Sequence, residues 1–437
     1  MPDHLAPVKP PKGHFFLAGK TFPRVQWTKE PRLRLLYFYI LALIFTNTAN
    51  GFDNSMMNGL QSLSYWQDYF NHPTGPILGL FNCVMSAGAL AGLLFLPFCL
   101  DRLGRKPSLI IGSLFMLLGI GLQSGASNFS MFVGGRFILG FGDIIVICTA
   151  PLLISEISPA QDRAILVTIS GAAYHSGAFI AAWVTYGTLK IQSNWSWRAP
   201  SLIQGVFTVF MLCVVWWIPE SPRYHISRDQ PEKALKTLAY YHANDREDDE
   251  VVQLEFTEIA TALALEKAAD KSSYLDFVRT PGNRKRLIII ISVGLFSQWS
   301  GNGLVSYYLN IIMRNIGITD PDTQLRFNGG ITTFNLVTNI FFSFFVDKWG
   351  RRPIFLISTV GTLVAFVIWT ILSARYDISP NSGMASGIIA MIFIYNLSYN
   401  LKSGLIATYT TEVLPYSMRA KGWTIMEYAL YGPLFFN

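Results

Sequence analysis

The chain has 437 residues, of which 51% are hydrophobic and 14% are charged, and its formal net charge is +7. Soluble proteins carry about 25% charged residues, so this composition excludes a soluble enzyme as the whole molecule. A charge of +7 suggests nucleic acid in a soluble protein, but here the positions of the basic residues decide its meaning, and we predict no nucleic-acid partner.

Ten apolar runs predict membrane-spanning helices, and an eleventh run begins near residue 422. Each run is apolar on every face, whereas lipid-facing β-strands alternate in polarity, so we predict helices rather than a barrel. The predicted spans cover residues 35–52, 76–100, 107–124, 131–154, 164–188, 200–218, 287–313, 328–346, 353–373 and 384–409. The predicted fold class is an all-α polytopic membrane protein in a lipid bilayer.

Two motifs occur once in each part of the chain. DRLGRK at 101–106 recurs as DKWGRR at 347–352, and EISPAQDR at 156–163 recurs as EVLPYSMR at 412–419. Because each motif returns after six spans, we predict two parallel six-helix halves, the plan of major facilitator transporters. The predicted segments are a cytoplasmic N-terminal segment (1–34), an N-terminal transmembrane half of six spans (35–218), a cytoplasmic helical linker (219–286) and a C-terminal transmembrane half (287–437).

The basic residues predict the orientation. Twenty-seven Lys and Arg residues fall on the connections that share a side with the N-terminus, and five fall on the other side. By the positive-inside rule the N-terminus of this multi-pass protein is cytoplasmic. The sequons at Asn128 and Asn194 then lie outside, where glycosylation is expected, whereas the sequon at Asn396 lies within a span.

No cofactor, metal or enzymatic site is predicted. The four cysteines lie inside apolar runs without the spacing of a disulfide framework or zinc site, and no GxxxxGK[ST] loop is present. No nucleophile or acid pair is assembled in a polar domain. We therefore predict that the chain is not an enzyme and that no ATP drives it.

Several segments together resemble the sugar porter family of the major facilitator superfamily, and are most similar to its fungal lactose permease-like branch. The segments are GFDNSMMNG (51–59), DRLGRK, GGRFILGFG (134–142), PLLISEISPAQDR (151–163), PESPR (219–223), SYLDFVRTPGNRKRL (273–287), QWSGNGLVSYYL (298–309) and DKWGRR. The resemblance implies a monomer of the plasma membrane that moves a hexose, or a small disaccharide such as lactose or cellobiose, with a proton by alternating access.

The second half differs from the family plan in length. The repeat predicts six spans in this half, whereas the half holds four complete spans and the beginning of a fifth, which is the eleventh span of the chain. We therefore expect a form truncated at the C-terminus. The alternatives to proton-coupled transport are a passive sugar facilitator, a non-transporting sugar sensor and an inactive truncated paralogue.

Asp53 and Arg136 are the candidate proton-coupling residues. Asp53 follows the first predicted span, and Arg136 lies early in the fourth span, which enters the membrane from the same side. A carboxylate near hydrocarbon is costly unless it is paired or faces water. The family resemblance implies that Asp53 carries the proton and that Arg136 is its partner; the alternative is that Asp53 lies in the outer headgroup region.

Acids and arginines gather at the cytoplasmic ends of both halves. We expect them to form ion pairs when this mouth closes, as a gating latch, since arginine and carboxylate suit bidentate pairing; the alternative is simple anchoring. The candidates are Asp101, Arg105, Glu156, Arg163, Glu220, Arg223, Asp347, Arg351, Glu412 and Arg419.

Amides and aromatic rings are the candidate substrate contacts. A sugar's hydroxyl groups need partners that both donate and accept, while flat rings cover its C–H faces. Gln298 and Asn302 share one helix face and are the leading pair, although any single amide can instead bond a neighbouring helix. The full set is Gln298, Asn302, Tyr307, Tyr308, Asn335, Asn396 and Asn400.

One acid and one lysine lie within predicted spans. Asp143 follows Arg136 by seven residues, and Lys402 lies in the tenth span. Spans four and ten are equivalent in the two halves, and the resemblance implies that both line the central cavity. We therefore hypothesise that Asp143 and Lys402 neutralise each other there, directly or through water. The alternative is that each pairs locally, or that Lys402 extends to the inner surface.

Overall fold

The computed structural model describes residues 11, 13–17, 19–269, 274–343, 349–414 and 418–436. Nearly all of them are helical. The helices are α1 (Pro31–Leu60), α2 (Ser64–Tyr69), α3 (Gly75–Phe98), α4 (Arg105–Ser124), α5 (Phe129–Ile157), α6 (Arg163–Thr188), α7 (Trp195–Ile203), α8 (Gly205–Val215), α9 (Pro222–Ser227), α10 (Pro231–His242), α11 (Glu250–Ala269), α12 (Asp276–Arg279), α13 (Pro281–Trp299), α14 (Asn302–Asn315), α15 (Pro321–Ser343), α16 (Arg351–Ile378), α17 (Ser382–Ser403), α18 (Leu405–Val413) and α19 (Arg419–Phe436).

Within the described residues, nine helices or continuous helix pairs are long and apolar enough to cross a membrane. The predicted all-α polytopic fold is confirmed. Two further helices, α15 and α19, coincide with the predicted eighth and eleventh spans but are less apolar. The sequence of α15 contains the asparagines Asn328 and Asn339, which are polar but buried in the protein.

The first span is longer than its hydropathy indicates. We predicted its end at residue 52, whereas α1 continues to Leu60. Its last turns carry amides such as Asn50 and Asn58, which are 6% and 7% exposed. Because these amides face the protein interior rather than lipid, they lower hydropathy without ending the helix.

The N-terminal bundle, defined as α1 and α3–α8, is packed at close range. The helix α1 lies along α6, and both α3 and α4 lie along α5. A Cβ atom at Gly51 of α1 would lie 1.9 Å from the Tyr174 carbonyl oxygen, and one at Gly177 would lie 1.9 Å from the Thr48 carbonyl oxygen. Glycine at both positions therefore lets the two backbones touch.

Among the described residues, the C-terminal bundle, defined as α13–α19, meets the N-terminal bundle chiefly along three helix pairs. They are α6 with α15, α1 with α14, and α3 with α19, and α1 also meets α15. The indole Nε1 of Trp183 lies 3.4 Å from Thr333 Oγ1, and the Asn58 amide donates to the Val305 carbonyl at 3.2 Å. These bonds join the ends of the bundles where α1 ends and α5 begins, a region termed the opposite face.

The other end, where α1 begins and α5 ends, is termed the basic face. An antiparallel hairpin of β1 (His14–Leu17) and β2 (Lys20–Pro23) lies here with the linker helices α9–α12. Lys20 pairs with Glu250 at 2.5 Å, and Arg24 donates to the Gln161 carbonyl at 2.9 Å. The segment before α1 is therefore bonded to both the linker and the turn between α5 and α6.

Candidate functional site

Asp53 and Arg136 lie together in the interior of the N-terminal bundle, each only 1% exposed. Among the described residues, neither carboxylate oxygen of Asp53 has a hydrogen-bond partner, and the Nε and Nη1 atoms of Arg136 also lack one. The two side chains interact electrostatically without forming a hydrogen-bonded pair. Asp53 lies about two turns before the end of α1, so its placement at the end of the first span was wrong because α1 is longer than predicted.

Asp143 extends this group of charges along α5. The Asn50 amide donates to its Oδ2 atom at 2.5 Å, whereas its Oδ1 atom has no partner. Asp143 also interacts electrostatically with Asp53. The centre of the N-terminal bundle thus holds two buried carboxylates and one guanidinium with fewer hydrogen bonds than they can make.

Lys402 is buried in the C-terminal bundle at 5% exposure and does not pair directly with Asp143. Its Nζ atom lies 3.4 Å from Ser300 Oγ and 4.9 Å from the centre of the Tyr399 ring. Ser300 caps the C-terminal end of α13, where the helix dipole favours a cation. In this conformation Asp143 and Lys402 each contact a polar side chain of their own bundle. The predicted direct pair between Asp143 and Lys402 is therefore not formed.

The seventh span is broken in its middle. We predicted one continuous span over 287–313, whereas α13 ends at Trp299 and α14 begins at Asn302. Gly301 joins them with φ +98°, a conformation that other residues rarely adopt. Such breaks leave backbone groups free to bind ligands in transporters.

The predicted pair Gln298 and Asn302 lies on either side of this break. The Asn302 amide donates to Gln298 Oε1 at 3.0 Å, and the Ser306 hydroxyl donates to Asn302 Oδ1 at 3.1 Å. Both amides are half-buried, so they retain exposed donors and acceptors. Neutral groups of this kind can exchange their mutual bonds for bonds to hydroxyl groups.

The other predicted amides differ in their availability. Asn400 donates to Asn335 Oδ1 and to Thr338 Oγ1, both at 2.9 Å, and so joins α17 to α15. Asn396 donates at 2.8 Å to the Ile392 carbonyl of its own helix. Asn335 and Asn400 thus form a second polar group between helices, whereas the Asn396 amide is bound back to α17.

The two predicted tyrosines come from α14. Tyr307 is buried and interacts electrostatically with Arg136, so it brings the C-terminal bundle close to the charged group. Tyr308 has φ −126° and ψ 18°, which bends α14 about two turns after the break at Gly301. The structure therefore places Tyr307 of the C-terminal bundle within electrostatic range of Arg136.

At the basic face, two of the predicted ion pairs are formed. Arg105 contacts both oxygens of Glu156 at 2.9 and 3.0 Å, and Arg351 lies 3.0 Å from Glu412. Each pair lies within one bundle, so its formation does not require the two bundles to meet. The role of these two pairs in a gating latch stays a prediction.

The remaining predicted gating residues have varied surroundings. Glu220 accepts from the backbone N–H groups of Arg105 and Lys106, and the Asp101 carbonyl accepts from Arg228. Arg163 interacts with the buried pair His242 and Glu255. Arg223 has a partner. Asp347 and the side chain of Arg419 lie outside the described residues.

Two sequence features were missed or incompletely interpreted. Glu427 of α19 is 8% exposed, and its signal was a single acid within the apolar run that begins near residue 422. Asn128 was predicted only as a glycosylation site, but its Oδ1 atom also caps α5 by accepting from Met131 N at 2.8 Å. Asn194 precedes α7 without a side-chain cap.

The sequence profile of the sugar (and other) transporter family matches residues 39–429. The chain belongs to this family. It is 28% identical to the sugar transporter STL1 of Saccharomyces cerevisiae over 87% of this chain and 69% of that protein. It is 26% identical to the high glucose sensor RGT2 of the same yeast, over 85% of this chain and 49% of that protein.

The fold is that of the solved major facilitator structures. The proton:xylose symporter XylE of E. coli, bound to 6-bromo-6-deoxy-D-glucose, matches with a TM-score of 0.75 and 21% identity. The alignment covers 92% of this chain and 88% of XylE. At this identity the match establishes the fold.

Proposed function

We propose that the protein moves a hexose or a small disaccharide, such as lactose or cellobiose, together with a proton by alternating access between the two bundles. Membership of the sugar transporter family supports a sugar as the substrate. Among the matched structures, XylE is described as a proton:xylose symporter. The substrate binds between the bundles at the broken span, with Gln298 and Asn302 as its main polar contacts.

The observation that carries proton coupling is the environment of Asp53. A buried carboxylate without hydrogen bonds is costly while it is charged. Its carboxylate oxygens have no hydrogen-bond partner among the described residues, and Arg136 of α5 lies within electrostatic range. Small movements of α5 therefore change whether a proton or the guanidinium neutralises the carboxylate. Asp53 therefore carries the proton, and Arg136 replaces the proton when it leaves.

The orientation and the gate are part of the same proposal. The basic face lies in the cytoplasm, and the protein is a monomer in the plasma membrane. The bonds of Trp183 and Asn58 to the C-terminal bundle close the outer side of the pathway in this conformation. Breaking them while the basic face closes produces the outward-open state.

The direct test is uptake by the purified full chain in liposomes. Labelled glucose, lactose and cellobiose are offered separately, with an inward proton gradient and after its collapse by a protonophore. We expect accumulation of at least one sugar above equilibrium, only while the gradient lasts. Equal uptake with and without the gradient contradicts coupling, and absence of uptake of all three contradicts this substrate class.

A sugar sensor is the second candidate, because RGT2 is among the similar proteins. A sensor keeps the sugar site without moving the sugar. Equilibrium binding and uptake measured on the same liposomes separate the two functions. Saturable binding without uptake favours the sensor, whereas binding with uptake favours the transporter.

A further inference from the structure

A third buried acid lies closer to the basic face than Asp53 and Asp143. Glu427 is 8% exposed in α19, and it has no hydrogen bond or ion pair within the described part of the chain. Glu427 and Tyr431 are four residues apart and share one face of α19. Tyr431 packs with Cys148 of α5 against the apolar cluster around Ile144. Glu427 therefore lies on the face of α19 that meets the N-terminal bundle.

The three acids differ in depth. Asp53 lies 22 residues from Pro31, where α1 begins at the basic face. Asp143 lies 14 residues from Ile157, where α5 ends, and Glu427 lies 8 residues from Arg419, where α19 begins. At 1.5 Å per residue these separations are about 33, 21 and 12 Å along the helices. The acids thus form a series that descends toward the basic face.

Polar groups fill the intervals between the acids. Asn50 lies one turn from Asp53 on α1 and donates to Asp143 at 2.5 Å. Cys148 interacts electrostatically with both Asp143 and Glu427, and so does Tyr431. Tyr174 of α6 also faces Asp143. Among the described residues, these and Asp53 are the titratable groups that interact with the lower two acids.

A purely structural role does not explain the lower two acids. Asp143 keeps one oxygen buried without a partner, and Glu427 makes no bond that would hold helices together. An unpaired carboxyl group in an apolar interior is stabilised by taking up a proton. Acidic chains of this kind within membrane spans mark proton relays.

We propose that Asp143 and Glu427 bind the coupled proton after Asp53 and carry it in two steps to the basic face. No bond other than O–H is made or broken: the proton leaves the Asp53 carboxyl group, is held by Asp143, then by Glu427, and passes to water. The inference rests on the proposed proton coupling. It adds two proton-binding residues and a direction to that function.

The first test is a pH titration of the full chain in liposomes by infrared spectroscopy, which needs no sugar. We expect the C=O band of protonated carboxyl groups to contain components that are lost separately in Asp143→Asn and Glu427→Gln. The exposed Glu258 of α11 supplies the control variant Glu258→Gln, which should leave the buried component unchanged. A band that is identical in the wild type and both variants overturns the proposal.

The second test measures proton-driven uptake relative to sugar exchange, with whichever of glucose, lactose and cellobiose the wild type accumulates. This ratio is independent of how much variant folds. We expect Glu427→Gln to lower it about tenfold or more, since a positioned proton-transfer group contributes at least that much. An unchanged ratio in Glu427→Gln overturns the relay alone, whereas a wild type without proton-driven uptake overturns the proposed function as well.

Discussion

The centres of the two bundles are built from different chemistry. In the N-terminal bundle, Asp53 has no hydrogen-bond partner among the described residues, and Arg136 donates only from Nη2, to Met85 Sδ at 3.7 Å. In the C-terminal bundle, Gln298, Asn302 and Asn400 are neutral amides that bond other side chains. Unpaired charges respond to protons, whereas paired amides can exchange partners with a sugar at little electrostatic cost. Under the proposed function, the N-terminal bundle binds the proton first and the C-terminal bundle supplies most of the sugar contacts.

The largest expected effect comes from removing the guanidinium. Arg136→Gln leaves Asp53 without the charge that replaces its proton, so we expect proton-driven uptake to fall about 100- to 1,000-fold. Sugar binding, measured at equilibrium, should change far less. The exposed Arg375 supplies the control Arg375→Gln, which should transport normally. Comparable losses of sugar binding and proton-driven uptake in Arg136→Gln would contradict the separation of proton coupling from sugar binding.

A fully bonded charge pair at the basic face provides a contrast. Burial alone would lower the pKa of His242, but the Glu255 carboxylate at 2.6 Å raises this pKa above 6.5. Burial would likewise raise the pKa of Glu255, but His242 lowers this pKa below 4.5. Because its polar groups are satisfied, this pair should contribute to stability rather than to transport.

The expected pH dependence follows from these directions. The contribution of His242 to stability is complete below pH 6.5 and is lost as pH rises through its raised pKa; that of Glu255 is lost as pH falls through its lowered pKa. At pH values between the pKa of Glu255 and the pKa of His242, the His242→Gln substitution should therefore lower the free energy of unfolding by about 3 kcal/mol. At alkaline pH the decrease should be smaller. Thermal unfolding in detergent checks this, with the exposed His72→Gln as control. A loss of stability in His242→Gln that grows as pH rises would contradict this expected pH dependence.

The amide pair offers a smaller and more specific test. Gln298→Ala or Asn302→Ala removes a hydrogen-bonding partner of the sugar, and we expect KM for uptake to rise about tenfold. The ratio of protons to sugar should stay unchanged. Asn396→Ala is the matched control, since the Asn396 amide is bound to its own helix. A changed ratio of protons to sugar in Gln298→Ala would show that the sugar contacts and the proton coupling are not separate.

The smallest expected effect concerns the break in the seventh span. Gly301→Ala forces a side chain into φ +98°, with its Cβ atom 2.9 Å from Phe366 Cε2. We expect a stability loss of about 1–2 kcal/mol and a moderately raised KM. Gly404→Ala is the control, because Gly404 has φ −71° and open space around its Cα. Equal effects of Gly301→Ala and Gly404→Ala on stability and KM would show that the break in the seventh span is not required for stability or uptake.

Much of the fold was predictable from the sequence because lipid imposes apolar runs of fixed length. The predictions failed where helices face protein rather than lipid. Hydropathy ended α1 before Asp53, since the amides beyond it are buried, and it could not detect the break at Gly301.

Among the candidate site residues, single side chains were easier to predict than pairs. Asp53 and Arg136 were recognisable as charges at similar depth, but the preference of Lys402 for the end of α13 depends on the helix break. Glu427 was visible as an acid in an apolar run, but its position relative to Asp143 required the packing of α19 on α3.

The measurement that tests the account most directly compares accumulation with exchange in Asp53→Asn. Liposomes containing the variant are given labelled sugar first with an inward proton gradient and then with unlabelled sugar inside and no gradient. The exposed Asp68 supplies the matched control Asp68→Asn. The account predicts that Asp53→Asn loses accumulation above equilibrium and keeps exchange, while Asp68→Asn keeps both. Accumulation by Asp53→Asn at the wild-type level would contradict the central claim that this carboxylate carries the proton.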